Sequence, residues 1–259
     1  MRVRFSPSRL ICRSSVRART GSLNINNMKI VALSDIHGNL LELPECDVVC
    51  IAGDILPLAY QNNTIQSISW FLQDFIPWTD SLKCKKVVFI AGNHDFIFGD
   101  LCEKYNKYSW EVEKLLLIHH SIEKKIVYLC DNLFIYEGIK FYGSPWIPNL
   151  TRWAFYGNPD KLNEKFNKIP SDIDVLITHT PPKIADCGTV LQYCGNWKRN
   201  FGCQELADQY PRISPKWHLF GHIHSGDHNI TNHYNSKLVN VSIKNEDYEV
   251  VYNPFEFEV

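Results

Sequence analysis

Five short apolar runs punctuate this chain, and each is cut off by a residue that can bind a metal or by a turn leading to one. Residues 31–33 lead into Ser34-Asp35-Ile36-His37-Gly38, residues 48–52 into Gly53-Asp54, and residues 87–91 into Gly92-Asn93-His94-Asp95. Residues 173–178 lead into His179, and residues 217–220 into Gly221-His222-Ile223-His224. Runs of this length, bounded by turn-forming residues, predict buried strands. Helical spacing predicts a helix over 64–78, with Ile65, Ile68, Leu72, Phe75 and Ile76 on one face, and a second over 101–118. A strand at 126–129 and a hairpin pairing 133–136 with 139–142 across Glu137-Gly138 form an all-β interval, and 238–252 reads as two more strands. Early β-α-β units followed by antiparallel strands imply an α/β fold. Two packed mixed sheets flanked by helices are expected, in a single domain without a cap.

The 259 residues, 45% hydrophobic, suffice for one sizeable core. The formal charge of -1 hides an asymmetry. Residues 1–27 hold six arginines and no acid, which leaves 21 of the 27 basic residues against 28 acidic ones in the rest. An acidic body is a poor match for long nucleic acid, so no stable nucleic-acid partner is expected. Residues 1–27 read as a disordered or non-native leader to a domain at 28–259, with an organellar transit peptide as the alternative. No apolar segment approaches the length of a bilayer span, so no membrane partner is expected and the protein reads as cytoplasmic. The nine cysteines form no Cys-x-x-Cys pair, and Cys187, Cys194 and Cys203 read as free thiols in preference to a zinc site.

In open α/β sheets, sites form where strands end and loops begin. Asp35, His37, Asp54, Asn93, His179, His222 and His224 therefore describe one cluster in space. Asp35 and His37 are two apart at a strand end, so both can project the same way, and His222 and His224 repeat that spacing. Singly, each motif is ordinary loop chemistry; five in series, each after an apolar run, are a metal site. Carboxylates, imidazoles and one amide, with no thiolate, suit manganese, iron or zinc, and the histidines argue against magnesium or calcium. Seven donors exceed the needs of one tetrahedral ion. They suit two divalent ions sharing a carboxylate, which together clamp the attacking and leaving oxygens of a displacement at phosphorus.

The series Asp35-x-His37, Gly53-Asp54, Gly92-Asn93-His94-Asp95, His179 and Gly221-His222-x-His224 resembles the calcineurin-like metallophosphoesterase superfamily. The resemblance implies a four-layer α-β-β-α sandwich with a dinuclear site. Asp35, His37 and His224 would hold the first ion, Asn93, His179 and His222 the second, with Asp54 bridging. It also implies that His94 stands beside the leaving group as a non-ligand catalytic histidine, oriented by Asp95. The stretches Tyr142-Gly143-Ser144-Pro145-Trp146, Trp153-Ala154-Phe155, Thr178-His179-Thr180-Pro181-Pro182 and Gly202-Cys203-Gln204-Glu205-Leu206 are similar to a small branch, the metallophosphoesterase-domain-containing proteins. That branch is associated with metal-dependent phosphodiesterase activity, and residues 188–199 depart from its pattern.

The expected function is a dinuclear-metal phosphodiesterase that cleaves a small, nucleotide or other, phosphoester by in-line attack of a metal-bridging hydroxide. A nuclease, a phosphoprotein phosphatase and a non-catalytic scaffold are the alternatives. Asn93 and His94 are candidate substrate contacts. Trp146 and Trp153 either line the mouth of the site with them or pack as an aromatic cluster. A chain beginning at Met28 is expected to keep its activity and melting temperature, because the composition of residues 1–27 buries too little apolar surface to offset ordering entropy. Thermal denaturation of the truncated protein checks this.

Overall fold

Strands with no polar face must be covered on both sides, and the first apolar runs meet that demand. In the computed structural model, which describes residues 27–103, 125–192 and 197–259, β1 (Lys29–Leu33), β2 (Val48–Ala52) and β3 (Lys86–Ile90) run parallel and are buried almost throughout. β4 (Ile126–Tyr128) lies beside β3, and the C-terminal β13 (Phe255–Glu258) closes the other edge antiparallel to β1. A second sheet comprises β5 (Asn132–Tyr136), β6 (Ile139–Ser144), β7 (Val175–Thr178), β10 (Trp217–Phe220), β11 (Thr231–His233) and β12 (Ser236–Asn240). Its spatial order is β11-β12-β10-β7-β6-β5. β8 (Thr189–Gln192) and β9 (Trp197–Asn200) form a separate antiparallel ribbon. The β5–β6 hairpin turns on Glu137 at φ 47° and Gly138 at φ 88°, the two left-handed residues of a type I′ turn.

The sheets face each other through Ile30, Val48, Cys50, Val88 and Ile90 on one side and Phe141, Val175, Ile177, Leu219 and Val239 on the other. Outside the first sheet lie α1 (Thr64–Trp70), α2 (Ile76–Ser81) and α3 (Phe96–Glu103). A π-helical turn, Phe71–Phe75, joins α1 to α2, because Pro77 has no N–H for the carbonyl of Gln73 and the helix widens there. Phe71, Phe75 and Phe98 pack their rings 5.7–6.3 Å from Phe89 of β3. Outside the second sheet lie α4 (Pro159–Phe166), α5 (Gln204–Ala207) and α6 (Tyr210–Ile213). Leu162, Phe166, Leu206 and Ile213 share a core with Tyr142 and Leu176, and Tyr210 packs with Phe220 and Leu238. The expected α-β-β-α sandwich results. Among the described residues no helix is long and apolar enough to cross a membrane.

Some expectations shift. Beyond Glu103, the helix expected over 101–118 lies outside the described residues, as do residues 1–26 and Cys194. The tail expected as two strands over 238–252 contains the end of β12 and then a tight excursion, with isolated bridges from Ser242 to Ser34 and between Lys244 and Val250. Asn245 Oδ1 accepts from the backbone N–H of Asp247 (3.0 Å) and Glu249 (2.9 Å), a side-chain turn that interrupts the ladder. Cys187 and Cys203 are buried and outside any disulfide, whereas Cys130 is disulfide-bonded.

His218 on β10 is buried and fully partnered. The Thr178 hydroxyl donates to Thr180 O (2.6 Å), so it accepts from His218 Nε2–H (2.7 Å), and His218 Nδ1 accepts from the Tyr210 hydroxyl (2.5 Å). Burial pushes His218 down to about 3, so the ring is neutral. Tyr210→Phe leaves Nδ1 without its donor and is expected to cost about 1–3 kcal/mol of stability, read by urea unfolding.

Candidate metal centre

Four residues at the strand ends hold a backbone conformation that side chains disfavour. Asp35 (φ 56°), His37 (φ 40°), Asp54 (φ 53°) and His222 (φ 70°) all lie in the left-handed region, at roughly 1–3 kcal/mol each. The strain persists because neighbouring loops brace one another. Asp35 N donates to Gly53 O, His37 N to Asp54 O and Gly38 N to Ile55 O, each at 3.0 Å, so the loop after β1 runs alongside the loop after β2. Gly221 N donates to His179 O and Ile243 N to Ser34 O, each at 3.1 Å, which draws the ends of β7 and β10 and the C-terminal tail to the same edge.

Asp54 lies at the centre, 2% exposed. Its Oδ1 accepts from His94 N (2.8 Å), and its Oδ2 is 3.3 Å from His179 Nε2, 3.8 Å from His37 Nε2 and 3.9 Å from His94 Nε2. Asp35 Oδ1 is 3.4 Å from His224 Nε2, and its carboxylate accepts from His222 N at 3.1 and 3.2 Å. The half-buried His222 sets its ring 4.9 Å from that of His179. Three overlapping groups have ligand atoms close enough to share an ion: Asp35, His37 and His224; His37, Asp54 and His94; Asp35, Asp54 and His179.

Several of these contacts bring lone pairs face to face. His179 Nδ1–H donates to Ala52 O (2.8 Å) and His224 Nδ1–H to Asn245 O (3.0 Å), so in each neutral ring Nε2 has only a lone pair to offer. Yet His179 Nε2 faces Asn93 Oδ1 at 2.9 Å as well as Asp54, and His224 Nε2 faces Asp35. Both ring nitrogens of His37 are buried without a hydrogen-bond partner. Buried acceptors aimed at one another need a proton or a cation between them. Carboxylates, imidazoles and an amide oxygen fit divalent manganese, iron or zinc in that place.

The electrostatics agree. Burial opposes the charged forms of Asp35 and Asp54, but the histidines around them outweigh it and hold both carboxyls well below the usual range. Burial pushes His37 down to about 4 and His222 down to about 3, so both are the neutral imidazoles that ligation requires. At His179 burial is overcome, chiefly by Asp54, and the ring is pushed up to about 9. A proton binds that pair where a cation otherwise would.

A profile of calcineurin-like phosphoesterases matches residues 28–226, the span that carries every one of these side chains. The chain belongs to the calcineurin-like phosphoesterase family. Members of this family use two divalent metal ions, and the donor groups gathered at this edge are of the kind that hold them. It is 30% identical over 244 residues to metallophosphoesterase domain-containing protein 1 of Homo sapiens, covering 89% of this chain and 71% of that protein. A UPF0046 protein of Caenorhabditis elegans is 32% identical over 254 residues and covers 90% of this chain, which spans 60% of that relative's length. The solved structure of phosphopantetheinyl hydrolase from Mycobacterium tuberculosis has the same fold, with a TM-score of 0.51 at 15% identity, covering 84% of this chain and 89% of that one. A Thermus thermophilus structure does too, at 0.52 and 14%, covering 83% and 88%.

At this phosphoesterase edge the structure brings together Asp35, His37, Asp54, Asn93, His94, His179, His222 and His224. Two expectations are corrected. Asp95 does not orient the His94 ring, because its carboxylate is taken up by the backbone N–H groups of Gly92 (2.8 Å), Ile55 (3.0 and 3.1 Å) and Leu56 (2.9 Å). His94 Nδ1 pairs with Gln61 Oε1 instead. Trp146 is fully buried, donates Nε1–H to Asp131 (2.8 Å) and lies under the ammonium groups of Lys161 and Lys165 at 4.2 and 4.4 Å, so it is a core residue. The tryptophan at the site is Trp153, its ring 4.3 Å from that of His94. Two neighbours were not anticipated. Gln61 sits in a loop with no motif around it. The ring of Tyr248 lies 5.1 Å from those of His37 and His224, in the turn that Asn245 and Asp247 signal by composition.

Gly92 and Gly221 make room for the carboxylates. A Cβ at Gly92 would fall 2.2 Å from Asp54 Oδ1, and one at Gly221 would fall 2.3 Å from Asp35 Oδ2. Gly92→Ala and Gly221→Ala are each expected to lower Mn²⁺ affinity by about 10–100-fold in direct titration, the range for lost support of a ligand. Gly138→Ala, where a Cβ meets nothing, is expected to keep the affinity and lose only stability through its φ of 88°.

Proposed function

We propose that this phosphoesterase hydrolyses small phosphodiesters. Asp35, His37 and His224 would hold one ion and Asn93, His179 and His222 the other, with Asp54 available to both. The supporting observation is the Asp54 carboxylate, whose Oδ2 stands 3.3 Å from His179 and 3.8 Å from His37, one candidate ligand from each set. When bound, two such ions lower the pKa of the attacking water and offset negative charge at phosphorus.

The protein's own residues supply orientation and a proton. With Nδ1–H directed at Gln61 Oε1, His94 turns Nε2 towards Asp54, 3.9 Å away. Trp153 packs on the ring, and Asp54 Oδ1 anchors the His94 backbone N–H beside a candidate ligand. When protonated, His94 donates Nε2–H to the departing oxygen as the P–O bond breaks, and an alcohol leaves in place of an alkoxide. Asn93, His94 and Trp153 are thus the substrate contacts. Histidines, not lysines or arginines, dominate the charge around Asp35 and Asp54. A site whose charge comes mainly from histidines suits the single negative charge of a diester better than the dianion of a monoester.

Activity on bis(4-nitrophenyl) phosphate is expected to require Mn²⁺ and to vanish with a chelator. His94→Ala should lower kcat by roughly 10²–10⁴-fold on an alkyl ester, with metal content unchanged, and by much less on an aryl ester whose leaving group departs unprotonated. Asp54→Asn should release an ion and abolish turnover. Metal-replete protein that cleaves no diester, or a His94→Ala protein that loses an ion, overturns the reading.

A further inference from the structure

Resting on the phosphodiesterase reading, we infer that the ester group which stays on phosphorus is uncharged and apolar, and that it is held in a cleft beside His222. This cleft, of about 360 Å³, has the size of a small-molecule site. Four segments wall it, one of them the turn that carries Glu246. Leu150 comes from the loop that also carries Trp153, Val190 and Phe201 come from the β8–β9 ribbon and its exit, and Ile223 lies between two candidate ligands. All four side chains are half-buried, so the protein itself leaves part of their apolar surface uncovered.

Charge decides what enters. The cleft reaches the centre at His222, and among the described residues no lysine or arginine lines it. Its one charged wall residue is Glu246, held in place by Ser225, whose backbone N (3.1 Å) and hydroxyl (2.5 Å) both donate to Glu246 Oε1. The Arg199 guanidinium is stacked on the Phe201 ring, 4.8 Å from its centroid, and Glu246 is left as the charged group among the described lining residues. It repels a second phosphate or a carboxylate, while the apolar walls favour alkyl and aryl groups. His94 and Trp153 flank the departing oxygen in the proposed reaction. The cleft borders His222 instead, so it receives the substituent that is not expelled.

The test uses 4-nitrophenyl phosphodiesters on the metal-replete full chain, with methyl, hexyl, phenyl, 5-carboxypentyl or thymidine 5′-yl as the second ester. In each, water adds to phosphorus, the bond to 4-nitrophenolate breaks, and the second ester remains on the monoester product. kcat/KM is expected to rise about tenfold or more from methyl to hexyl and phenyl, since one buried methylene contributes up to about fourfold. It should fall below the methyl value for carboxypentyl. Val190→Asp should collapse the hexyl-to-methyl ratio, and Glu246→Gln should raise carboxypentyl turnover relative to hexyl. A flat series, a thymidine ester preferred to the phenyl one, or ratios unmoved by both variants overturns the apolar cleft and leaves the phosphodiesterase standing. No turnover of even the methyl ester overturns both.

Discussion

The buried Asp54 carboxylate is the group on which the rest of this structure depends. An anion that is 2% exposed is tolerated only with donors or cations around it. Each neighbouring feature answers that demand. His94 N–H donates to it, Gly92 leaves the space it occupies, and its left-handed backbone turns it towards the histidines of three other strand ends. The peptide groups around it are committed as well. Gly53, Asp54 and Ile55 carbonyls accept from the loop after β1, while the N–H groups of Ile55 and Leu56 donate to Asp95. The metal site and the loop architecture are one hydrogen-bonded object.

Asp95 shows the cost of that arrangement. Burial and the nearby Asp54 push it up to about 7, against the backbone N–H groups of Leu56, Gly92 and Ile55, which favour its charged form. Two carboxyls with opposed demands therefore share one interior. A cation at Asp54 removes the like-charge repulsion and leaves the amides to dominate, so occupancy of the centre and the bracing of the β2 and β3 loops reinforce each other. The same logic explains the left-handed residues. Strain at Asp35, His37, Asp54 and His222 persists where surrounding contacts fix the chain, and binding energy at the centre rewards the geometry it produces.

The strand ends were legible because two independent signals coincide there. Apolar runs set where strands stop, and residue type sets what chemistry the stops can do. The layers followed from the same runs, since β1 to β3 offer no polar face. Contacts made by a single side chain across the fold were not legible. Asp95 follows His94 in sequence, which suggests a pair, but its carboxylate is drawn to amides some forty residues away in the chain. Gln61 reaches His94 from a loop with no periodicity. Trp146 and Trp153 look equivalent in sequence and differ only in that Asp131, Lys161 and Lys165 surround the first. The tail misled for a local reason. Its apolar spacing is strand-like, but Asn245 caps a turn that carries Tyr248 over the site.

Strand ends and loops thus divide the work unequally. Strand register fixes the candidate ligands, because β1, β2, β3, β7 and β10 are locked by parallel neighbours and cannot shift without unpacking the interior between the sheets. The adjoining cleft shares His222 and Ile223 with the ligand-bearing loop after β10, but its other walls come from elements free of that lock: the Leu150 loop, a two-stranded ribbon outside both sheets, and the Asn245 turn with Glu246. The Asn245 turn serves both tasks, since its carbonyl accepts from candidate ligand His224 while Glu246 borders the cleft. Thr189–Gln192 and Trp197–Asn200 supply that ribbon. In the proposed reaction that ribbon bears on substrate choice, while the strand ends carry the candidate ligands.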